Sequence, residues 1–429
     1  MVSDVLLAIG LLLSTASQLR PTGAPVGPGE LCLMAWVVLM LGKELNRLGP
    51  PLTPALSRLL LFWLVFGAAL SIGTLAGYVI GDVHDPDLFR HDAMAYPLLA
   101  LVSCLSVVEP GAALRMRRVA WLLVGFGTVS LVLQLAGASG LALAHTDPWY
   151  WDRFRGWSAN PLQLALLCAV LALTALHLAD VAASAGGRLV AIAGAIVAIH
   201  VGRLTKSDSF TLAMVAAGPI FIALKLRQWV RTFESRLPLR SALALIIVFG
   251  APLMLISALP LGSSDATDVV RKLAKDDGRQ VSDEADLRFG AWRQAIDRGI
   301  QSGFFGLGPG PHLDIPPLLV AARATEIEPE YVDHPPANGV PDFEAHNTLL
   351  DLFTQGGLIA VAGLVALTAT AFFSTYGAGS AGLTTLLCGV AIFAIPNLII
   401  RHPIVWFAIA ICLVPKVAPG SAPAIPTGR

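Results

Sequence analysis

The stretch with the most chemical potential is Glu344-Ala345-His346-Asn347, where a long polar segment gives way to the apolar run from Thr348 to Leu367. An imidazole with an ordinary pKa of about 6.5 can accept a hydroxyl proton at neutral pH. The amide of Asn347 beside it can orient a sugar, and Glu344 and Asp351 are close enough in sequence to fix the tautomer of His346. A plainer reading stands beside this one: His346 and Asn347 start a helix, since Asn is a favoured cap residue.

Fixed positive charge is the second ingredient. Arg20, Arg90, Arg153, Arg155, Arg203, Lys206 and Arg401 fall in one set of alternate loops, several of them directly beside an apolar run. With Arg288 from the long polar segment they could line a cationic pocket at a membrane surface. Cations held there suit an anion anchored in the leaflet, and guanidinium groups pair bidentately with phosphate oxygens, so a lipid diphosphate fits. Each arginine taken singly also reads as a residue snorkelling to lipid headgroups. As a set they favour a ligand.

The elements that must hold these groups are membrane helices. The chain is 55% hydrophobic and 14% charged, against about 25% charged in soluble domains, and its mean hydropathy is +0.70. It reads as an all-α polytopic membrane protein. A span needs about 20 apolar residues, and about twelve candidates lie between the charged residues. The clearest are Leu59–Gly81, Val119–Ala144, Gly156–Ala179 and Ser241–Ser264. The uncharged run between Asp351 and Arg401 is divided by Gly377–Gly382 into two helices. Shorter candidates are Val5–Leu19, Leu31–Leu41, Ala93–Val108, Leu189–Gly202, Ser209–Leu224 and Pro403–Pro415. Asp4, in place of a basic leader, marks the first run as a retained span.

Lys and Arg accumulate in cytoplasmic loops, and the loops alternate with those above carry twice as many, among them Arg115, Arg117 and Arg118. Both termini are therefore predicted inside, with residues 261–345 outside, which is the periplasm of a bacterium. The expected organisation is nine spans in 1–260, a periplasmic loop domain in 261–345, three spans in 346–417 and a cytoplasmic tail in 418–429. Within the loop, Ser282 caps a helix with an acidic first turn. Leu287, Ala291, Ala295 and Ile296, with Trp292, form a stripe at helical spacing. Gly303 ends that helix, and the Pro-rich 326–344 segment is expected to be irregular.

Other patterns carry less. Gly81–Asp92 gathers two His and four Asp, but their spacing matches no metal-ligand pattern, so a solvated loop is the better reading. Gly306–Gly310 looks like a phosphate loop, yet it follows a helix and Pro309 removes an amide, which favours a turn. His177 and His200 read as helix-packing residues. The five cysteines lie in apolar runs as small hydrophobes, and no basic run with interleaved aromatics points to nucleic acid.

In order, "LRPTGAPVGPGELCLMAWVV", "RFRGWSANPLQLAL", "LRFGAWRQAIDRGIQSGFFGLGPGPH" and "HNTLLDLFTQGGLIAVAGL" resemble elements of the O-antigen ligase and polymerase superfamily of bacterial membrane glycosyltransferases. Respectively, these are the family's early loop, its Arg-Gly then Asn-Pro element, its Arg-x3-Trp helix (Arg288 and Trp292), and its His-Asn helix. The resemblance implies a glycosyltransferase C type fold in the inner membrane. It implies transfer of a glycan from undecaprenyl diphosphate to a sugar hydroxyl at the periplasmic face, without a metal or nucleotide sugar. Arg288 and neighbouring arginines would hold the diphosphate while His346 activates the acceptor, which is lipid A core for a ligase or a growing O-antigen or exopolysaccharide for a polymerase. One departure is plain: where the family has Thr-x-Ser-Arg, this chain has Asp208 in place of the Arg. Either Lys206 or Arg203 supplies the charge, or the contact is absent. The competing class is a polysaccharide transporter or flippase, with His346 as a gate; a structural scaffold is the third.

Overall fold

The computed structural model describes residues 2–21, 26–45, 52–82, 86–108, 111–141, 146–232, 280–314 and 343–414. The span predicted at Ser241–Ser264, most of the Pro-rich half of the polar loop, part of the Gly81–Asp92 loop, and the side chain of Ser282 lie outside the described residues.

The first eight helices are α1 Val2–Leu13, α2 Pro28–Leu45, α3 Pro54–Ile80, α4 Pro86–Val107, α5 Ala112–Ala138, α6 Pro161–Val181, α7 Ala185–Leu204 and α8 Asp208–Thr232. After the polar α9, Gln280–Gln301, come α10 Thr348–Gly377, α11 Ala381–Ala394 and α12 Pro403–Leu413. A short antiparallel hairpin, β1 Trp149–Tyr150 and β2 Arg153–Phe154, leads into α6. Helix starts follow local chemistry. Thr53, Asn160, Ser184 and Asn347 each accept a backbone N–H in the first turn of their helix, and α3 and α6 place Pro at the first position.

Among the described residues, six helices are long and apolar enough to cross a membrane: α3, α5, α6, α7, most of α8, and α10. The uncharged stretch after Asp351 does divide, with Gly379 at φ 64 between α10 and α11. α1, α11 and α12 are apolar but shorter. At about 17 Å, α12 is too short for a hydrocarbon core of about 30 Å, and all of its residues are buried, as suits a helix apolar all round at a bundle centre. The outer helices do the reverse: Leu64, Leu75 and Val79 on α3 and Phe373 on α10 are 66–86% exposed. Exposure of that kind is stable where lipid is the solvent.

At the centre Trp406 of α12 meets Trp63 of α3, ring centroids 4.3 Å apart, with Phe62 alongside. Each indole N–H has a partner: Trp63 donates to Ser103 Oγ at 2.8 Å, and Trp406 to the Ile400 carbonyl at 2.7 Å.

α10 is a broken helix. Gly357 has φ 64 and ψ −162, and the chain after α9 threads into the gap. Leu307 N–H donates to Thr354 O, Gly308 N–H to Gln355 O, and Leu358 N–H to Phe304 O. The Gly306–Gly310 segment is therefore tied by its amides to α10, in keeping with a turn and against a phosphate cradle.

Candidate functional site

His346 sits one residue before the cap of α10, in a left-handed conformation with φ 50. Its ring stands edge-on to Phe343, centroids 5.2 Å apart. The residue is exposed, yet enough protein surrounds the imidazole for desolvation to lower its pKa. Glu344 opposes that shift, and the exposed Arg288 adds to it. The outcome is an accessible imidazole that stays neutral to lower pH than an ordinary histidine.

The turn carrying His346 is held from both sides. Asn347 caps α10, its Oδ1 accepting from Leu349 N–H and Leu350 N–H at 3.0 and 3.1 Å. On α9, Ala291 and Ala295 are buried against Leu313 and Ala345 as the helical stripe predicts, while Ile296, expected on the same stripe, is 43% exposed. Trp292 donates its indole N–H to Ala345 O at 3.0 Å. Glu344 and Asp351, expected to fix the imidazole tautomer, bond elsewhere. Glu344 accepts from Arg401, and Asp351 accepts two backbone N–H groups.

Arg401, expected as an open cation, lies at the start of the buried α12 between two carboxylates. It is 2.5 Å from Glu344 and 2.6 Å from Asp92, and its side chain is 22% exposed. Burial opposes its charge, but Glu344, Tyr96 and Asp92 outweigh that and raise its pKa. Tyr96 donates in turn to Gln355 Oε1 at 2.8 Å, beside the break in α10. Next in sequence, His402 is pushed down to about 4, by burial first and the Arg401 charge second. Removing the cation from such a pair leaves carboxylates buried without compensation. Arg401→Ala should therefore cost about 3–5 kcal/mol of stability, measured by denaturation in detergent; a loss under about 1 kcal/mol would mean that solvent already screens the cluster.

Arg153, Arg155, Arg203 and Lys206 gather on the α6–α8 side of the same end. Arg155 is buried, its guanidinium bound to Asp147 Oδ2 at 3.0 Å and to the Asp147 and Ala159 carbonyls. Arg153 donates to Thr205 O, and Lys206, at φ 50, pairs with Asp152. Asp208 opens α8. Asn397 joins this side to the His346 side, donating to Ser209 Oγ while its carbonyl accepts from Thr348 Oγ1. The Arg-Gly then Asn-Pro element thus builds a corner: Arg155 clamps it and Asn160 caps the helix that follows.

Residues 193–365 match the family model described as O-antigen ligase. That segment, less than half of the chain, is similar to the O-antigen ligase/polymerase superfamily. No curated protein and no solved structure matches the chain. The O-antigen ligase segment takes in Arg203, Lys206, Arg288, Trp292, His346 and Asn347, while Arg153, Arg155 and Arg401 lie outside it. It also takes in a residue that sequence reasoning missed. His312 is 1% exposed, with Nδ1 3.0 Å from Asp82 Oδ2 and Nε2 2.8 Å from Gly308 O. Arg298 approaches Asp82 and Asp314 at 3.8 and 3.7 Å. Only its place right after the Gly-rich turn could have signalled it. Tyr96 and Gln355 were equally silent, because their partners are distant in sequence, while Asp92, expected in a solvated loop, is 2% exposed on α4 and faces Arg401.

Proposed function

We propose that this protein is a membrane glycosyltransferase that moves a glycan from an undecaprenyl-diphosphate-linked donor to a sugar hydroxyl on lipid A core or a growing polysaccharide. The observation that carries the reading is a neutral, accessible imidazole at the mouth of a membrane bundle, within electrostatic reach of Arg288 and inside the segment of O-antigen ligase likeness. His346 accepts the acceptor's hydroxyl proton as its oxygen bonds to the anomeric carbon. The bond from that carbon to the diphosphate breaks, and the electron pair leaves with the phosphate oxygen, where Arg288 meets the developing charge. The diphosphate leaves unprotonated, so no general acid is needed. In this reading Arg153, Arg203 and Lys206, which gather beside the α6–α8 end, contact the rest of the donor. Asn347, Trp292 and Arg401 serve the site by holding the turn that presents His346. The reaction site is then periplasmic, in the inner membrane.

The test is purified protein given a synthetic undecaprenyl-diphosphate oligosaccharide and a lipid A core or oligosaccharide acceptor. Joined product together with free undecaprenyl diphosphate supports transfer. Movement of intact donor across a vesicle bilayer without either product supports the transporter reading. The pH profile follows from the lowered pKa of His346. A base works above its pKa, so activity should fall on the acid side below about pH 6.5, the ordinary histidine value. Arg288→Ala removes a repelling charge, stabilises the imidazolium and should move that acid limb to higher pH. A limb that stays put would separate Arg288 from the imidazole.

A further inference from the structure

We propose that Asp351 is a positioning residue for the imidazole of His346, acting through the backbone and touching no substrate; this rests on the transfer reading above. A left-handed conformation costs a non-glycine residue about 1–2 kcal/mol, so His346 at φ 50 must be held there. The peptide N–H groups on either side do the holding. Ala345 N–H donates to Asp351 Oδ1 at 2.7 Å, and Asn347 N–H to Asp351 Oδ2 at 3.1 Å. The carboxylate is 3% exposed, and these two bonds meet its need for donors in a place where an unpaired charge is costly.

Ordinary helix capping does not explain this arrangement. A capping carboxylate reaches back to the N–H of the cap residue alone, here Asn347. The second bond passes over His346 to Ala345, outside the helix, where no orphan helical amide needs a partner. Its effect is to lock the one residue between. Trp292 N–H on Ala345 O and Arg401 on the Glu344 carboxylate brace the same stretch from two other elements, so α9, α10 and the α11–α12 connection converge on the residues that flank His346. Misplacing a reacting group by about 1 Å costs on the order of 100-fold in rate, which gives such bracing a use.

Asp351→Asn keeps the shape but replaces one acceptor oxygen with a donor that faces an N–H. With purified protein and the synthetic donor above, kcat should fall about 10- to 100-fold while KM for donor and acceptor stays within about twofold. The deciding comparison is the same change made in His346→Ala protein. There Asp351→Asn should cost nothing further, and added imidazole should restore activity equally with or without it, because a free base needs no braced backbone. An equal fold-loss in both backgrounds would make Asp351 merely structural, and a raised KM at unchanged kcat would make it a ligand contact; either overturns the proposal. If Asp351→Asn does not fold, Trp292→Phe removes a brace on the same strand, and its several-fold loss of kcat must likewise vanish in His346→Ala. Full activity of His346→Ala by itself would remove the base that Asp351 is proposed to position and overturn the proposal, whereas no transfer by the parent protein would overturn the transfer reading; both are seen before Asp351 is changed.

Discussion

His346→Ala should lower glycan transfer by about 100- to 10,000-fold, the range that a positioned general base contributes, while the protein still inserts and folds. The side chain is exposed and its ring contact is with Phe343, so truncation opens no core cavity. Replacing a strained L-residue by another at the same φ changes backbone strain little. Transfer from the synthetic donor is the measurement, with thermal unfolding in detergent as the control. Loss of transfer at an unchanged melting midpoint is the expected pair of results. Activity within about tenfold of the parent would leave His346 without the role of base.

Gly357→Ala should have the largest effect on stability. The φ and ψ of Gly357 belong to a region that is essentially glycine's alone, worth about 1–3 kcal/mol for another residue. A Cβ there would also fall 2.0 Å from the Phe304 carbonyl oxygen, and neither backbone can move freely. Phe304 O accepts from Leu358, while the neighbouring amides of Leu307 and Gly308 are bonded to Thr354 and Gln355. The segment after α9 would be expelled from the break, taking with it the packing that seats Ala345. A total above about 3 kcal/mol should show as a collapse of monodisperse yield after extraction and a fall in melting midpoint of many degrees. An unchanged midpoint would mean that α10 can close into a continuous helix without this loop.

The membrane class and the positions of most helices follow from the sequence, because a spanning helix is written locally: a long apolar run, a capping Thr, Ser or Asn, and a Pro at its first position. Thr53-Pro54 and Asn160-Pro161 mark their helices without help from any neighbour. The O-antigen ligase likeness was legible for the same reason, being carried by short contiguous motifs. What each charge does was not. Arg155, Lys206 and Arg401 read as three members of one open cationic set, and the tertiary structure gives them carboxylate partners at Asp147, Asp152, Asp92 and Glu344. An ion pair in a bundle depends on which helices become neighbours, and hydropathy is blind to that. The break at Gly357, the loop inserted into it and the two hydrogen bonds accepted by Asp351 belong to the same category. The sequence by itself determined that this chain enters a membrane and that His346 stands just before the start of an apolar helix; only the fold decided which residues hold that histidine in place, because backbone amides and buried charges choose partners by proximity in space.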